Sequence, residues 1–316
     1  MKKIQSLAIT VIIICIPILN MGANEIESST DLSLHISSIP EAKLVFTQGF
    51  SFPFLRGTGP LTLDNNIKTN FSAELSPISL NGIAELIWTP IAFLEIAAGG
   101  RLGSGWNMPL GNGIGLNKPV GIFEPGNPRK SEIDGGAFDG LIWSAWGGKA
   151  LQFDLAAVFP GAWNHVLFRV YDEIRYSAYS RAGSEDSWFF ENIGEYRNGW
   201  IWHGNAVLGY QMPLSPVLDF VGLMAEVDIN LYNTQGREYW GDNQPYWIFS
   251  SLFNFSINPR FSSTLILQMH TLRNYGTSDL ENRDEYWYQD LELQHEHGAQ
   301  RLMFYRAALI FNYKLR

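Results

Sequence analysis

Cysteine is nearly absent from this chain of 316 residues, and long apolar stretches are confined to its start. Cys15 is the single cysteine, and it lies inside the N-terminal apolar run, so a processed chain would contain none. Disulfide scaffolds and cysteine-ligated metal sites are therefore excluded. After residue 24 no run of about 18 apolar residues follows, so no later membrane-spanning helix is expected.

Charge is also scarce, because charged residues make up 17% of the chain against about 25% in a typical soluble domain. Acidic side chains outnumber basic ones by 31 to 22, which gives a net charge of -9. Such a chain lacks the basic surface of a nucleic-acid-binding protein. Aromatic residues reach 14%, which excludes long disordered stretches.

The first 23 residues have the pattern of an export signal. Lys2 and Lys3 supply positive charge, residues 4–19 are apolar, and residues 20–23 offer small side chains for cleavage. We expect residues 1–23 to be a signal peptide and residues 24–316 to be a single domain in the outer membrane. The alternative is an uncleaved anchor helix.

Beyond the signal, apolar and polar residues alternate with a period of two. In residues 217–232 the odd positions include Val221, Leu223 and Val227, whereas Glu226 and Asp228 occupy even positions. Side chains alternate between the two faces of a strand, so one face is apolar and the other is polar. The same pattern recurs along the chain to its last residues, and it predicts a mature chain that is almost entirely β.

The strands are separated by short turns and long loops. The predicted tight turns are Thr89-Pro90, Gly147-Gly148-Lys149, residues 213–216 and Asn258-Pro259-Arg260, and the predicted long loops are 105–137, 179–197, 233–245 and 274–285. This spacing predicts about 12–14 strands. Pro160-Gly161 either breaks one long strand or separates two.

Three features favour a membrane barrel over a soluble sandwich. Strands of about ten residues match a tilted bilayer span, and short turns opposite long loops match the outer-membrane arrangement. Aromatic residues also lie towards predicted strand ends, where the lipid–water boundary favours Trp and Tyr: Trp88, Trp200, Trp202, Tyr246, Trp247 and Trp287. The sequence therefore predicts a transmembrane antiparallel up-and-down β-barrel.

With these features the chain resembles bacterial outer-membrane β-barrel proteins, in particular porin-like and uncharacterised barrels of the spirochaete type. The resemblance covers residues 24–316 and lies in the architecture, without a specific motif. It implies a membrane-embedded protein with lipid as its surroundings.

In such a barrel the polar face of each strand lines the lumen. The predicted lumen-facing residues are Glu85, Glu95, Arg101, Asp154, Arg169, Glu173, Arg175, His203, Glu226, Asp228, His270, Asp290, Glu292 and Arg306. A lumen of this kind can hold water and pass small polar solutes, and its excess of acids would favour cations weakly. The alternative is a network of ion pairs that fills a closed barrel.

Two loops could add a constriction or a ligand contact. The glycine-rich loop after residue 105 carries Glu124, Arg129 and Lys130, which could narrow the lumen, although such a segment is more often an external loop. The next loop carries Trp188, Phe189 and Phe190 beside carboxylates that include Glu191. These aromatics could bind sugars or a host ligand, or they could pack the loop onto the barrel rim.

No motif indicates catalysis or a cofactor. His295 and His297 supply two imidazoles without an identifiable third metal ligand, and His35 with Ser37 lacks an assignable orienting residue. We expect no enzyme activity, no cofactor and no metal. The sequence leaves three hypotheses: a passive channel for small polar solutes, a closed barrel with ligand-binding or adhesive loops, and a secreted soluble β-sandwich that binds carbohydrate.

Overall fold

The computed structural model describes most of the mature chain. The described residues are 26–39, 41–109, 111–120, 130–184, 186–191, 193–213, 215, 217–232, 245–271 and 302–315. The predicted signal peptide, residues 1–23, lies outside them.

Sixteen strands are found in these residues. They are β1 (Glu27–Ser37), β2 (Glu41–Pro53), β3 (Asn66–Leu75), β4 (Ser79–Ile91), β5 (Leu94–Gly105), β6 (Ile114–Val120), β7 (Lys130–Asp134), β8 (Ile142–Asp154), β9 (Val166–Tyr179), β10 (Ser187–Phe190), β11 (Ile193–Arg197), β12 (Gly199–Gln211), β13 (Leu218–Asn230), β14 (Tyr246–Asn258), β15 (Phe261–Thr271) and β16 (Leu302–Lys314). A short 3-10 turn, Leu155–Ala157, follows β8. Among the described residues, no helix is long and apolar enough to cross a membrane.

Twelve of these strands form one closed antiparallel barrel. Its order is β1-β16-β15-β14-β13-β12-β9-β8-β5-β4-β3-β2, and β1 closes the circle by pairing with both β16 and β2. Closure leaves no sheet edge with unpaired backbone groups, which a bilayer requires of any spanning sheet. The prediction of an all-β transmembrane barrel is confirmed, with a strand number at the lower limit of the expected range.

The other four strands form a separate sheet, which we call the loop sheet, in the order β11-β10-β6-β7. They come from the two connections that join β5 to β8 and β9 to β12. The predicted long loops at 105–137 and 179–197 thus contain strands of their own. These strands form because β10 of the second loop pairs with β6 of the first.

The two faces of the barrel wall differ in chemistry. Leu223 on β13 is 62% exposed and Phe304 on β16 is also 62% exposed, whereas Glu173 on β9 is 3% exposed. Large apolar side chains thus cover the outside, and charged ones point inward. A two-sheet sandwich would have buried Leu223, so the soluble sandwich hypothesis is wrong.

The two ends of the barrel also differ. The long connections from β5 to β8, β9 to β12, β13 to β14 and β15 to β16 all leave from one end, here called the upper end. The connections at the lower end are shorter. Residues 92–93 and 259–260 are two-residue turns, and the longest connections there are 54–65 and 155–165. This asymmetry is that of outer-membrane barrels.

Two predicted tight turns are wrong. Thr89-Pro90 lies inside β4, and the turn follows it at residues 92–93. Gly147-Gly148-Lys149 is not a turn but lies in the middle of β8, where Tyr171 and Glu173 pack closely over Gly148 from the neighbouring strand. Pro160-Gly161 lies in the connection between β8 and β9 and so separates two strands.

Two of the four register shifts in the described barrel strands move a predicted outward residue to the inner face. The register shifts between Leu218 and Phe220, and Asp219 turns inward to accept hydrogen bonds from Asn254 and Ser256. A second shift between β15 and β16 puts Phe304 on the outer face and Tyr305 against His270 inside. A bulge adds one residue to one strand, so strict odd–even counting fails beyond it.

Candidate functional site in the barrel lumen

The upper part of the lumen is occupied by the carboxylate of Glu191, at the tip of the β10–β11 hairpin. Its oxygens accept hydrogen bonds from Lys43 Nζ at 3.0 Å, Ser79 Oγ at 2.7 Å and Asn81 Nδ2 at 2.7 Å. Arg101 lies at 3.4 Å from both oxygens. These partners lie near the upper ends of β2, β4 and β5, on the face opposite the exposed Leu44, Leu80 and Leu102. The hairpin therefore inserts into the barrel.

Glu74 completes this group, which we call the latch cluster: Lys43, Glu74, Ser79, Asn81, Arg101 and Glu191. Glu74 lies 3.6 Å from Lys43 and 3.1 Å from Arg101. Two carboxylates and two cations thus balance each other. Ionised hydrogen bonds are the stronger ones in proteins, so the cluster fixes the hairpin tip to three barrel strands.

The backbone at Glu191 is held in an uncommon conformation. Its φ is 53°, in the left-handed region that costs a residue with a side chain about 1–2 kcal/mol. Its backbone N–H donates to the Gly113 carbonyl at 3.0 Å. Such strain persists only where the surroundings over-determine the conformation, and the latch cluster does so here.

The electrostatics of Glu191 favour its charged form. Burial of the carboxyl would by itself raise its pKa, but the charges of Lys43 and Arg101 and the hydrogen bond from Ser79 outweigh it, so the pKa lies below the ordinary value. Glu191 is therefore an anion at neutral pH.

Behind the tip, the loop sheet has a small apolar core. Trp188 and Phe190 pack with Ile114, Ile142 and Tyr179, and all five are at most 5% exposed. Trp188 stacks on Tyr196 with ring centroids 4.7 Å apart. Burial raises the pKa of the Tyr196 hydroxyl to about 12. Because Ile142 and Tyr179 belong to β8 and β9, this core packs the hairpin against the barrel wall.

Two asparagines tie the loop sheet to the barrel rim. Asn107 accepts from the Gly113 N–H at 2.8 Å and donates to the Gly135 carbonyl at 3.0 Å. Asn198 accepts from Trp188 Nε1 at 3.0 Å and from the Tyr179 N–H at 2.8 Å. The sheet is thus bonded at its base as well as at its tip.

Below the latch cluster, ion pairs and aromatic rings line a cavity of about 340 Å³. Arg169 on β9 pairs with Glu95 on β5 at 3.2 Å, across the intervening β8. Glu173 binds both Arg175 and the Tyr171 hydroxyl. Glu85 and Trp146 also border this cavity, which presents both signs of charge to a solute.

The opposite half of the lumen, formed by β12 to β16, contains pairs that connect strands of the wall. His203 Nδ1 lies 2.7 Å from Asp228 Oδ1. Arg306 donates to Gln268 at 2.6 Å and forms an ion pair with Glu41. The described residues show no loop side chain bonded into these pairs.

The lower end of the lumen holds a larger polar cavity of about 670 Å³. Its lining includes Asp31, Asn254, Ser256, Arg260 and Lys314. The cavity contains polar groups of both signs and lies beside the two-residue β14–β15 turn.

The structure places most of the predicted lumen residues on the inner face of their strands. These are Glu85, Glu95, Arg101, Arg169, Glu173, Arg175, His203, Glu226, Asp228, His270 and Arg306. Asp154 lies at the lower end of β8, where it binds His165 at 2.8 Å and caps the 3-10 turn. Asp290 and Glu292 lie outside the described residues.

Of the three residues predicted to form a constriction, one lies in the described part of the chain. Glu124 and Arg129 lie outside the described residues, and Lys130 is the first residue of β7. Trp188, Phe189 and Phe190 are buried to within 5% exposure, so they present no open aromatic surface to a ligand. The residue that does reach into the lumen is Glu191, which the sequence placed only as a neighbour of these aromatics.

Lys43, Ser79 and Asn81 were not singled out from the sequence. Lys43 does alternate with the outward Leu44 and Phe46, which was a usable signal for its inward position. No signal connects it to Glu191, 148 residues away.

The barrel is closed and antiparallel, with an apolar outer wall, a charged lumen and long connections at one end. Together these features define an outer-membrane β-barrel protein. No family model and no curated protein matches the sequence.

Two solved structures are similar in fold. One is CdiB from Acinetobacter baumannii, at 9% identity and a TM-score of 0.36, over 92% of this chain and 60% of CdiB. The other is OmpT, an outer membrane protein of Vibrio cholerae, at 5% identity and a TM-score of 0.36, over 92% of this chain and 97% of OmpT.

Proposed function

We propose that this protein is a passive channel for small polar solutes, with an upper opening narrowed by the β10–β11 hairpin. The observation that carries the proposal is the charged inner face, continued below the hairpin by polar cavities of about 340 and 670 Å³. Wet polar linings of this kind let hydrophilic solutes pass a bilayer.

The hairpin supplies the narrowing. The partners of its tip lie on β2, β4 and β5, so it fills one side of the upper lumen. The Glu191 carboxylate holds the tip against these strands, so loss of its charge would loosen the tip and widen the opening.

The chemistry of the lumen suits solutes that carry charge or hydroxyl groups. Acidic side chains alternate with guanidinium groups around the 340 Å³ cavity, and Trp146 offers an aromatic surface there. Fixed charges of both signs would orient a dipolar solute, and the acid excess would favour cations over anions weakly.

A second candidate function is a plugged barrel that displays its loops to an extracellular partner. The density of bonds around Glu191 favours it, because a tip bound by four side chains is expensive to release. In that case the lumen charges would form a structural network only.

Planar-bilayer recording of the refolded barrel tests the proposal. We expect stepwise conductance for the unmodified protein and a larger step for Glu191→Gln, which removes the anion and keeps the size. Glu226→Gln is the matched control, because it removes a lumen carboxylate that has no hydrogen bond to the hairpin. If the unmodified barrel does not conduct, the channel proposal is wrong. A variant with residues 187–197 replaced by a short linker then shows whether the hairpin is the plug, because it should conduct if the hairpin alone closes the lumen.

A further inference from the structure

A pair of opposite charges lies on the outer face of the barrel, among apolar residues. Lys149 on β8 and Asp172 on β9 are direct partners in the strand register, and Lys149 Nζ lies 3.7 Å from Asp172 Oδ2. Both alternate with outward apolar residues, among them Leu151 and Ile174. Their side chains are 63% and 38% exposed, so the pair faces the surroundings of the barrel.

The depth of this pair is set by an aromatic belt near the upper end. Trp143, Tyr176 and Trp200 lie on neighbouring strands with ring centroids 5.2 and 5.1 Å apart. Lys149 is six residues below Trp143 along β8, and Asp172 is four below Tyr176 along β9. At about 3.3 Å per residue and a tilt of about 40°, the pair lies about 10–15 Å below the belt.

That depth is near the middle of an apolar band about 25 Å tall. Acyl chains offer neither hydrogen bonds nor dielectric screening, so a charge that faces them costs folding free energy. Such a charge therefore indicates a functional contact by default. A single 3.7 Å ion pair leaves the remaining donors of Lys149 and acceptors of Asp172 without polar surroundings on the lipid side.

The outer wall beside the Lys149–Asp172 pair carries small side chains that project little from the backbone. Gly82, Ala84, Ala98, Ala145 and Gly147 all lie exposed on the outer face of β4, β5 and β8. A Cβ added at Gly82 would meet no atom within 4 Å, and one at Gly147 would meet only a carbonyl at 4.0 Å. A second wall could therefore approach the charges closely.

We propose that this surface, centred on Lys149 and Asp172, is where two copies of the chain meet in the membrane. A two-fold axis along the membrane normal would bring Lys149 of each copy to Asp172 of the other. The surface is self-complementary because it carries one charge of each sign side by side at nearly one depth, as a two-fold contact requires. Four alternating charges then satisfy one another away from lipid.

Disulfide crosslinking tests the contact, because Cys15 is the only native cysteine. In a Cys15→Ser background, Gly147→Cys places a thiol beside the charge pair, and mild oxidation or a short bis-maleimide in intact membranes should give a covalent dimer. Leu267→Cys on β15, at the far wall, is the matched control and should stay monomeric. No crosslink at Gly147→Cys, or equal crosslinking at both positions, overturns the proposal.

Charge reversal tests the pairing itself. Lys149→Asp alone and Asp172→Lys alone should each be monomeric in bilayer nanodiscs, whereas the two variants mixed before reconstitution should dimerise. Dimers that persist in either single variant would contradict the pairing. If these variants do not fold, judged by heat-modifiable gel mobility, Gly147→Trp is the deciding variant. The tryptophan side chain is neutral and has room in the monomer, and its bulk should abolish the dimer. A dimer that survives this bulky side chain also overturns the proposal.

Discussion

The two halves of the lumen are built from the same kind of alternating strand, yet they are held in different ways. On the β2–β5 side, the charges of the wall converge on Glu191 from the loop sheet. On the β12–β16 side, the described charges bind neighbouring strands, as in His203 with Asp228 and Arg306 with Gln268. The first half therefore holds an inserted segment, whereas the described charges of the second half connect strands of the wall.

The charged residues of the lumen therefore have two separate roles in one barrel. Where a carboxylate from outside the wall neutralises Lys43 and Arg101, polar atoms are removed from water and a segment is fixed. Where acid and base come from adjacent strands, the pair stays wetted: Asp228 remains 43% exposed in its pair with His203. The outer face of the same strands is the lipid-facing wall, on which Leu223 and Phe249 lie exposed.

The largest effect should come from a charge on that lipid-facing wall. Leu223→Arg puts a guanidinium at mid-barrel on β13, where Leu223 is 62% exposed on the outer face, and should cost about 2–4 kcal/mol of folding free energy. Urea titration in lipid vesicles measures this cost. Glu226→Gln, on the inner face of the same strand, should change little, and the reverse order would mean that the faces are inverted.

The second effect concerns the fixed half. Glu191→Ala leaves Glu74 as the shared carboxylate of Lys43 and Arg101. The variant removes the hydrogen bonds to the hairpin tip and should lower the local opening free energy of the β10–β11 hairpin by about 1–3 kcal/mol. Hydrogen exchange of residues 187–191 and 193–197 reports this opening. Unchanged protection there would show that the loop-sheet core holds the hairpin without the latch cluster.

Acidification should release the same hairpin. Because the folded pKa of Glu191 lies below its ordinary 4.5, its contribution to stability is fully present above that value and is lost as the pH falls through the lowered pKa. Exchange of the hairpin should therefore accelerate as the pH falls below 4.5 and through the lowered pKa. Glu191→Gln should show no such pH dependence, and an identical acid response in that variant would assign it to another group.

The smallest effect is expected on the β12–β16 side of the lumen. His203→Gln removes one partner of the half-exposed His203–Asp228 pair and should change folding free energy by less than about 1 kcal/mol. The same urea titration checks it. A loss as large as that of Leu223→Arg would mean that this half is also closed by charge contacts.

Much of the wall was predictable because a strand has a fixed period of two. Alternation around Glu226 and Asp228 identified an inner face, and the apolar partners Val221 and Leu223 identified an outer one. The rule failed where the backbone departs from that period: the bulges at Asp219 and Tyr305 each shift one residue to the other face. Gly147-Gly148 also misled, because glycine favours turns but here admits close packing of Tyr171 and Glu173 inside a strand.

The candidate site was less predictable, because its contacts are remote in sequence. Glu191 bonds to Ser79 across 112 residues and to Lys43 across 148. A turn carboxylate beside buried aromatics has no local pattern that separates an external loop from an inserted one. The aromatic residues Trp188 to Phe190 suggested either a ligand surface or packing on the rim. All three are buried, and Trp188 and Phe190 belong to the apolar core beside the loop sheet.

The sequence by itself determined the kind of wall: alternating strands of bilayer length, with apolar residues on one face and charges on the other, since periodicity is a local property of the chain. Only the tertiary structure decided that twelve strands close, that the loops build a sheet of their own, and that Glu191 enters the lumen. It also placed Lys149 and Asp172 side by side on the lipid face. These features depend on which distant segments meet, and that follows from the register of the closed barrel.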